Sequence, residues 1–159
     1  AEDAEAMVRA VRYPPDGARG LAASMVRASN YNAIAGYATT ANDEICLIVQ
    51  VESARAIENI DTIAAVDGVD VVFIGPADLS ADMGFIGNAG APEVNAAVKH
   101  AVERIRAAGK AVGIIGGGDY VEMRDLGVTF LGLAADVSLY AQTVRELVED
   151  TRERFWRKR

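Results

Sequence analysis

The stretch from Val71 to Ser80, VVFIGPADLS, decides the fold class of this chain. Its first half is a short, β-branched apolar run, which is typical of a strand buried on both faces. Gly75 and Pro76 then end the run, and a single carboxylate, Asp78, follows. The stretch predicts a buried strand with an acid at its carboxyl end, where a turn of helix is expected at 78–83.

Three further apolar runs have the same character, and the segments between the runs have helical spacing. The predicted strands lie at 45–51, 71–75, 111–115 and 129–134, and the predicted helices at 53–65, 92–108, about 119–126, and 137–150 continuing into the tail. Alternating strands and helices predict βαβ units and a parallel sheet, so the fold class is α/β. Four such strands fit either an open sheet covered on both faces or half of an eight-stranded (β/α) barrel.

The first 44 residues are less regular. A helix is predicted at 2–12, ended by the Pro14-Pro15 turn, and a second short helix is expected at 20–29. Residues 30–43 are expected to form a loop with some helix. The predicted organisation is a single domain over 1–159: a helix and loop region at 1–44, four parallel strands with their helices at 45–136, and a C-terminal helix with a basic tail at 137–159.

Composition excludes several classes of function. A net charge of -7 argues against a nucleic-acid surface, and no apolar run approaches the ~20 residues that cross a bilayer. A cytoplasmic protein is expected, and Cys46, the one cysteine, is predicted to be an inert core thiol. The basic tail at 152–159 is read as a solvated helix end, with an interaction arm as the alternative. Because the chain opens inside a helix without Met, it is expected to be a piece of something longer.

The candidate site lies where the first two strands end. Gln50 and Glu52 are two residues apart, so they point to the same side of a strand, and Asp78 follows the neighbouring strand. Two carboxylates at one point predict a hard cation such as Mg²⁺ or Mn²⁺, whereas the alternative is that both acids cap the helices that follow. The turn at Gly75 to Ala77 leaves amides free to receive an anionic group.

Three other features are weaker candidates. The run at 116–118, Gly-Gly-Gly, is read first as a flexible loop and second as an anion cradle. His100 falls opposite the apolar face of its helix, so it is predicted to be exposed rather than catalytic. Arg19 is the basic residue most suspected of meeting an anion, with a structural salt bridge as the alternative.

Four motifs together resemble a known family. RYPPDGARG at 12–20, RASNYN at 27–32, LIVQVES at 47–53 and DGVDVVFIGPADLSADMG at 67–84 resemble the HpcH/HpaI family of class II pyruvate aldolases. Members include 4-hydroxy-2-oxoheptanedioate aldolase and 2-keto-3-deoxyglucarate aldolase. The resemblance implies a TIM barrel of which this chain covers the last four strands and their helices.

The resemblance also implies chemistry for particular residues. Glu52 and Asp78 would hold Mg²⁺, Mn²⁺ or Co²⁺, and Gln50 and Ala77, beside Asp78, would contact a pyruvate-type 2-oxo acid. The reaction would cleave a 4-hydroxy-2-oxo acid to pyruvate and an aldehyde. The family's histidine base and its arginine precede the matching region, so no catalytic residue is assigned in this chain. A homo-oligomer with an exchanged last helix is also implied.

Two alternatives stay open. The chain could be a non-catalytic half-barrel that associates with itself, because an uncovered barrel interior and open strand edges favour pairing. It could instead belong to an acyl-CoA lyase of the same superfamily, such as the citryl-CoA and malyl-CoA lyases. The motifs YPPDGARG and GPADLS favour the simple 2-oxo acid.

Overall fold

A computed structural model of the chain describes residues 1–116 and 119–156 and has the predicted α/β architecture. In chain order the elements are α1 (Glu2–Val11), α2 (Tyr37–Glu44), β1 (Ile48–Val51), α3 (Ala54–Glu58), α4 (Ile60–Ala64), β2 (Val71–Ile74), α5 (Pro76–Asp82), α6 (Pro92–Ala107), β3 (Ala111–Ile115), α7 (Tyr120–Leu126), β4 (Phe130–Gly132) and α8 (Asp136–Trp156). The four strands form one parallel sheet in the order β1-β2-β3-β4, so β1 and β4 are its edges.

One face of the sheet packs against the helices and forms the core. Its strand residues alternate along each strand, as pleated geometry requires. Those that are at most 1% exposed are Val51, Val72, Ile74, Val112 and Ile114. The long helix α6 covers much of this face with its apolar stripe, in which Val94, Val102 and Ile105 are fully buried. The hydrophobic core therefore lies between the sheet and the helix layer, on what would be the outer face of a barrel.

The opposite face of the sheet, here called the inner face, stays largely open. It carries Ile48, Ile115 and Phe130, which are 40%, 42% and 44% exposed. The prediction that each strand is buried on both faces is therefore wrong for this face of the chain. The apolar pattern on both faces is nevertheless that of a strand in a closed barrel, where side chains fill the interior.

Cys46 was predicted to be a core thiol, and that prediction is wrong because the residue is exposed. It lies before the start of β1 and two residues from Ile48, whose side chain is on the inner face. A run such as Ile45 to Val49 is equally apolar whether its second face is covered or open. The sequence could not distinguish the two cases.

The connection from α1 to β1 contains less helix than predicted. The helix expected at 20–29 is wrong, since only Arg27–Ser29 forms a single 3₁₀ turn there. Asn42 holds the connection in place: its side chain accepts from the Tyr13 amide at 2.7 Å and donates to the Tyr13 carbonyl at 3.1 Å. The helix predicted at 53–65 is also interrupted, because Asn59 leaves helical geometry and separates α3 from α4.

Candidate active site

The carboxyl ends of β1 and β2 lie side by side. Val51 pairs with Ile74 in register, and the Gly75 amide donates to the Val51 carbonyl at 3.1 Å. The chain therefore leaves both strands at the same level of the sheet. Glu52 and the Gly75-Pro76 turn follow directly, which confirms that the two predicted segments meet at one edge.

The Gln50 and Glu52 side chains cross from β1 onto Gly75. A Cβ atom at position 75 would lie 2.8 Å from Gln50 Nε2 and 2.9 Å from Glu52 Oε2. Gly75 has a φ of -104°, which any residue can adopt, so the close approach of these side chains is what requires glycine. From the sequence, Gly75 was predicted only to end the strand, and the one signal of this further role is a glycine next to an apolar run.

Asp78 lies in the first turn of α5, with its residue exposed to solvent. Gly75 is the N-cap of that helix and provides no side-chain cap. The α5 dipole favours a negative charge in this turn. Among the residues that the structure describes, no hydrogen-bond partner of the Asp78 carboxylate is found, so it remains available to a ligand.

The helix-capping alternative for Glu52 does not describe this structure. Ser53 caps α3, since its Oγ accepts from the Ala56 amide at 3.2 Å. Asp82 accepts from the Ala54 amide at 2.7 Å and so ties the last turn of α5 to the start of α3. The capping groups are thus Ser53 and Asp82, neither of which was singled out from the sequence, and Glu52 is left with its side chain over Gly75.

The donor set at this edge suits a hard divalent cation. Glu52 and Asp78 bring carboxylate oxygens from adjacent segments, and such oxygens are the ligands that Mg²⁺ and Mn²⁺ prefer. Across residues 1–116 and 119–156, no group of three or more His, Cys, Asp or Glu side chains has metal-binding geometry. A cation held by two carboxylates alone keeps positions for water or for a chelating substrate.

Arg19 lies away from this edge, at the end of the sheet where the strands begin. The loop that carries Arg19 folds back on the end of α1, where the Arg19 amide donates to the Arg12 carbonyl at 2.8 Å. The Arg12 guanidinium lies next to Gly68, which precedes β2. The guanidinium lies 4.5 Å from the Tyr13 ring centroid and donates to the Tyr37 hydroxyl at 3.1 Å. No salt bridge to Arg19 is found among the described residues, and its buried Nη1 atom has no hydrogen-bond partner there.

Of the other two weak candidates, only His100 lies fully within the described residues. His100 is exposed on α6, as predicted. The predicted cradle or loop at 116–118 lies mostly outside the described residues, because positions 117 and 118 are not included. Residues 157–159 of the basic tail also lie outside them.

No helix in the described ranges is both long and apolar enough to span a bilayer.

Four consecutive βα units in one parallel sheet are the architecture of half a (β/α)8 barrel. The family model for "HpcH/HpaI aldolase/citrate lyase" matches residues 1–143, and the chain belongs to that family.

Relatives and solved structures agree with this assignment. The chain is 51% identical over 149 residues to a hydroxypyruvate/pyruvate aldolase of Pseudomonas aeruginosa, covering 92% of this chain and 56% of that protein. It is 46% identical over 149 residues to a 4-hydroxy-2-oxo-heptane-1,7-dioate aldolase of Shigella sonnei, covering 92% of this chain and 57% of that protein. A crystal structure of a family member from Burkholderia cenocepacia superposes with a TM-score of 0.83 at 39% identity, covering 95% of this chain and 61% of the other. The chain thus spans little more than half the length of these relatives.

Proposed function

We propose that this chain supplies the metal-binding and 2-oxo-acid-binding half of a divalent-metal-dependent aldolase. The reaction cleaves a 4-hydroxy-2-oxo acid to pyruvate, or a close 2-oxo acid, and an aldehyde. The observation that carries the proposal is the convergence of Gln50 and Glu52 over Gly75, beside the turn that bears Asp78. The names of the relatives, which are aldolases acting on hydroxypyruvate, pyruvate or a hydroxy-oxo-dioate, support the reaction class.

Glu52 and Asp78 are the proposed ligands of Mg²⁺, Mn²⁺ or Co²⁺. When bound, such an ion supplies Lewis-acid stabilisation of the enolate that remains after the carbon-carbon bond breaks. The exposure of Asp78 and the position of Glu52 at the strand end leave room for water and substrate next to both carboxylates. This donor set provides only part of an octahedral shell, which fits an ion that binds the substrate directly.

Gln50 and Ala77 are the proposed contacts of the 2-oxo acid, next to Asp78. The Gln50 amide nitrogen is held at the strand edge above Gly75, where it can donate to a carboxylate or ketone oxygen. The Ala77 amide lies in the first turn of α5, where backbone donors have no partner within the helix. Both groups are donors, so together they suit an anionic, oxygen-rich substrate and orient it on the two acids.

Proton transfer is assigned to residues outside this chain. His100, the one histidine, lies exposed on α6 and not at the strand edge. The activity therefore belongs to the complete barrel, which agrees with the chain covering 56% of its P. aeruginosa relative.

A homo-oligomer is also proposed, in which α8 is exchanged between neighbours. In support of this, α8 has no buried residue although Val144 and Leu147 are apolar.

A binding experiment tests the proposed site. Mn²⁺ is titrated into the chain with and without pyruvate, and its free concentration is followed by electron paramagnetic resonance. Glu52→Gln and Asp78→Asn keep the side-chain shape and remove one charge, so each should weaken Mn²⁺ binding by at least about tenfold, the low end of the loss for groups that only support a metal ligand. Glu58→Gln and Asp67→Asn remove the same charge from exposed positions and serve as controls.

The results of these experiments distinguish the proposed metal site from a general charge effect and from the acyl-CoA alternative. If Glu52→Gln and Asp78→Asn bind Mn²⁺ and pyruvate as well as the parent, the site assignment is wrong. Equal losses in the two control variants would show a general charge effect instead of a site. The acyl-CoA alternative is tested on the complete barrel, by comparing pyruvate release from 4-hydroxy-2-oxo acids with cleavage of CoA thioesters, and turnover of only the thioesters would replace the proposed substrate class.

A further inference from the structure

Asp82 links the two segments that carry the proposed metal ligands. Its carboxylate, at the end of α5, accepts a hydrogen bond from the Ala54 amide at 2.7 Å. Ala54 comes shortly after Glu52, and Asp82 comes one helical turn after Asp78. We infer that Asp82 is a positioning residue, which sets the separation between the Glu52 and Asp78 carboxylates. The inference rests on the proposed function, in which those two residues are the metal ligands.

Two hydrogen bonds of the described residues join the segments 51–54 and 75–82, one at each end. At the strand ends, the Gly75 amide donates to the Val51 carbonyl at 3.1 Å. At the other end, the Ala54 amide donates to Asp82. One proposed ligand lies in each segment, between the two contacts. Without Asp82, the two segments would be hydrogen-bonded to each other only where the strands end.

The position of Asp82 within its own helix is unfavourable. Asp78 and Asp82 are one turn apart and lie on the same face of α5. Like charges at this spacing destabilise a helix, and an acid in the last turn opposes the helix dipole. The Ala54 amide, in contrast, is one of the donors at the start of α3 that have no partner within that helix. The favourable contribution of Asp82 is therefore its contact with the neighbouring segment.

Helix α5 depends on this contact on its exposed side. The helix has seven residues, and its N-cap Gly75 provides no side-chain cap. Leu79 anchors one side of the helix in the core, whereas Asp78 and Asp82 are exposed. The contact from Asp82 to Ala54 holds the exposed side against the turn that follows Glu52. Because metal-ligand distances tolerate only about 0.2 Å, a small pivot of α5 would be enough to weaken binding.

Mn²⁺ binding in the complete barrel that contains this chain tests the inference, with free Mn²⁺ followed by electron paramagnetic resonance. Asp82→Ala removes the contact and should weaken Mn²⁺ binding by about tenfold to a hundredfold, the range for groups that support metal ligands. Asp82→Asn keeps a side-chain oxygen that can accept from the Ala54 amide, so it should recover most of the affinity. Both variants remove the charge, so this recovery distinguishes positioning from attraction between Asp82 and the cation.

Ala54→Pro removes the same hydrogen bond from the donor side and keeps the Asp82 charge. Position 54 is the first residue of α3, where proline is favoured. Ser53 has a φ of -139° and a ψ of 155°, which is compatible with a following proline. Ala54→Pro should therefore fold and should lose Mn²⁺ affinity to the same extent as Asp82→Ala.

Asp70→Ala is the matched control. The Asp70 carboxylate accepts from the Leu47 amide at 2.7 Å, so it joins the segments that precede β2 and β1, at the end of the sheet away from the proposed site. Asp70 is exposed, as Asp82 is. Both alanine variants should lower the midpoint of unfolding in urea with EDTA, and only Asp82→Ala should lose Mn²⁺ affinity.

The results distinguish a failure of this inference from a failure of the proposed function. Full Mn²⁺ affinity in Asp82→Ala or Ala54→Pro, alongside losses in Glu52→Gln and Asp78→Asn, would overturn the inference alone. Equal losses in Asp82→Ala and Asp82→Asn would also overturn it, because the charge would then be what acts. Equal losses in Asp82→Ala and Asp70→Ala would overturn it in favour of a general loss of stability. If neither Glu52→Gln nor Asp78→Asn changes Mn²⁺ affinity, the proposed function is wrong and the inference falls with it.

Discussion

Replacing Gly75 by alanine changes the geometry of the proposed site without removing any proposed ligand. The new methyl carbon would lie 2.9 Å from Glu52 Oε2 and 2.8 Å from Gln50 Nε2, whereas ordinary contacts begin at 3.4 Å. The difference, 3.4 minus 2.9, requires the carboxylate to move by about 0.5 Å. Metal-ligand distances tolerate only about 0.2 Å, so we expect Mn²⁺ affinity in the presence of pyruvate to fall by about tenfold to a hundredfold.

The cost to the fold should be small by comparison. Position 75 has a negative φ, so alanine introduces no backbone strain, and the two closest atoms are the ends of flexible side chains. We expect the free energy of unfolding in urea with EDTA to fall by about 1 kcal/mol, the low end for overpacking. In a Gln50→Ala background this loss should shrink, because the alanine methyl group then has fewer atoms to displace.

Gly20→Ala is the matched control, since a Cβ at position 20 meets nothing within 4 Å. It should leave both Mn²⁺ affinity and stability unchanged. If Gly75→Ala binds Mn²⁺ and pyruvate like the parent, the Glu52 carboxylate above Gly75 is not part of the site. A loss of affinity in Gly20→Ala of the same size would refute the reasoning from contact distances.

Three further changes have defined outcomes. Arg19→Ala removes the stacking on Tyr13 at 4.5 Å and should lower the free energy of unfolding in urea by about 1 kcal/mol, whereas an unchanged midpoint would show that the stacking contributes nothing. The hydrogen bond from the Arg104 guanidinium lowers the pKa of the Asp61 carboxyl, so the pair stabilises the fold above the ordinary pKa of aspartate and loses this effect as the pH falls through the lowered value. Asp61→Asn should therefore flatten the acid side of a plot of stability against pH, and an unaltered slope would contradict this. Gly127→Ala forces alanine to a φ of +105° at the end of α7 and should cost about 1 to 2 kcal/mol, measured by thermal unfolding.

The sheet and its site edge were predictable because their signals are local. The stretch from Val71 to Asp78 contains a β-branched run, a Gly-Pro exit and an acid, and each of these acts within a few residues. Parallel pairing then places Glu52 next to the same turn, with Val51 in register with Ile74. The fold class and the meeting of the two segments follow from pattern and topology alone.

The failed predictions concern positions whose surroundings a local apolar or helical pattern does not determine. Cys46 is exposed because no other residues of this chain cover the inner face. An apolar sequence does not show whether such a face is covered. The segment at 20–29 has helical composition, but the chain is held instead by Ser29, whose buried hydroxyl donates to the Val26 carbonyl at 3.0 Å. Likewise, Asp82 caps α3 from 28 residues away, a pairing that no local pattern predicts.

The contacts that fix the proposed ligands all lie within one βαβ unit. The Gly75 amide binds the Val51 carbonyl, Asp82 binds the Ala54 amide, and the Glu52 side chain lies over Gly75. None of them involves a residue of β3 or β4. The backbone geometry around Glu52 and Asp78 is therefore set within this unit, whereas the proposed proton transfer rests on residues outside the chain. If Glu52 and Asp78 are the ligands, we therefore expect this chain to bind Mn²⁺ without turnover, because the proposed ligands are held within one βαβ unit and the proposed proton transfer is not.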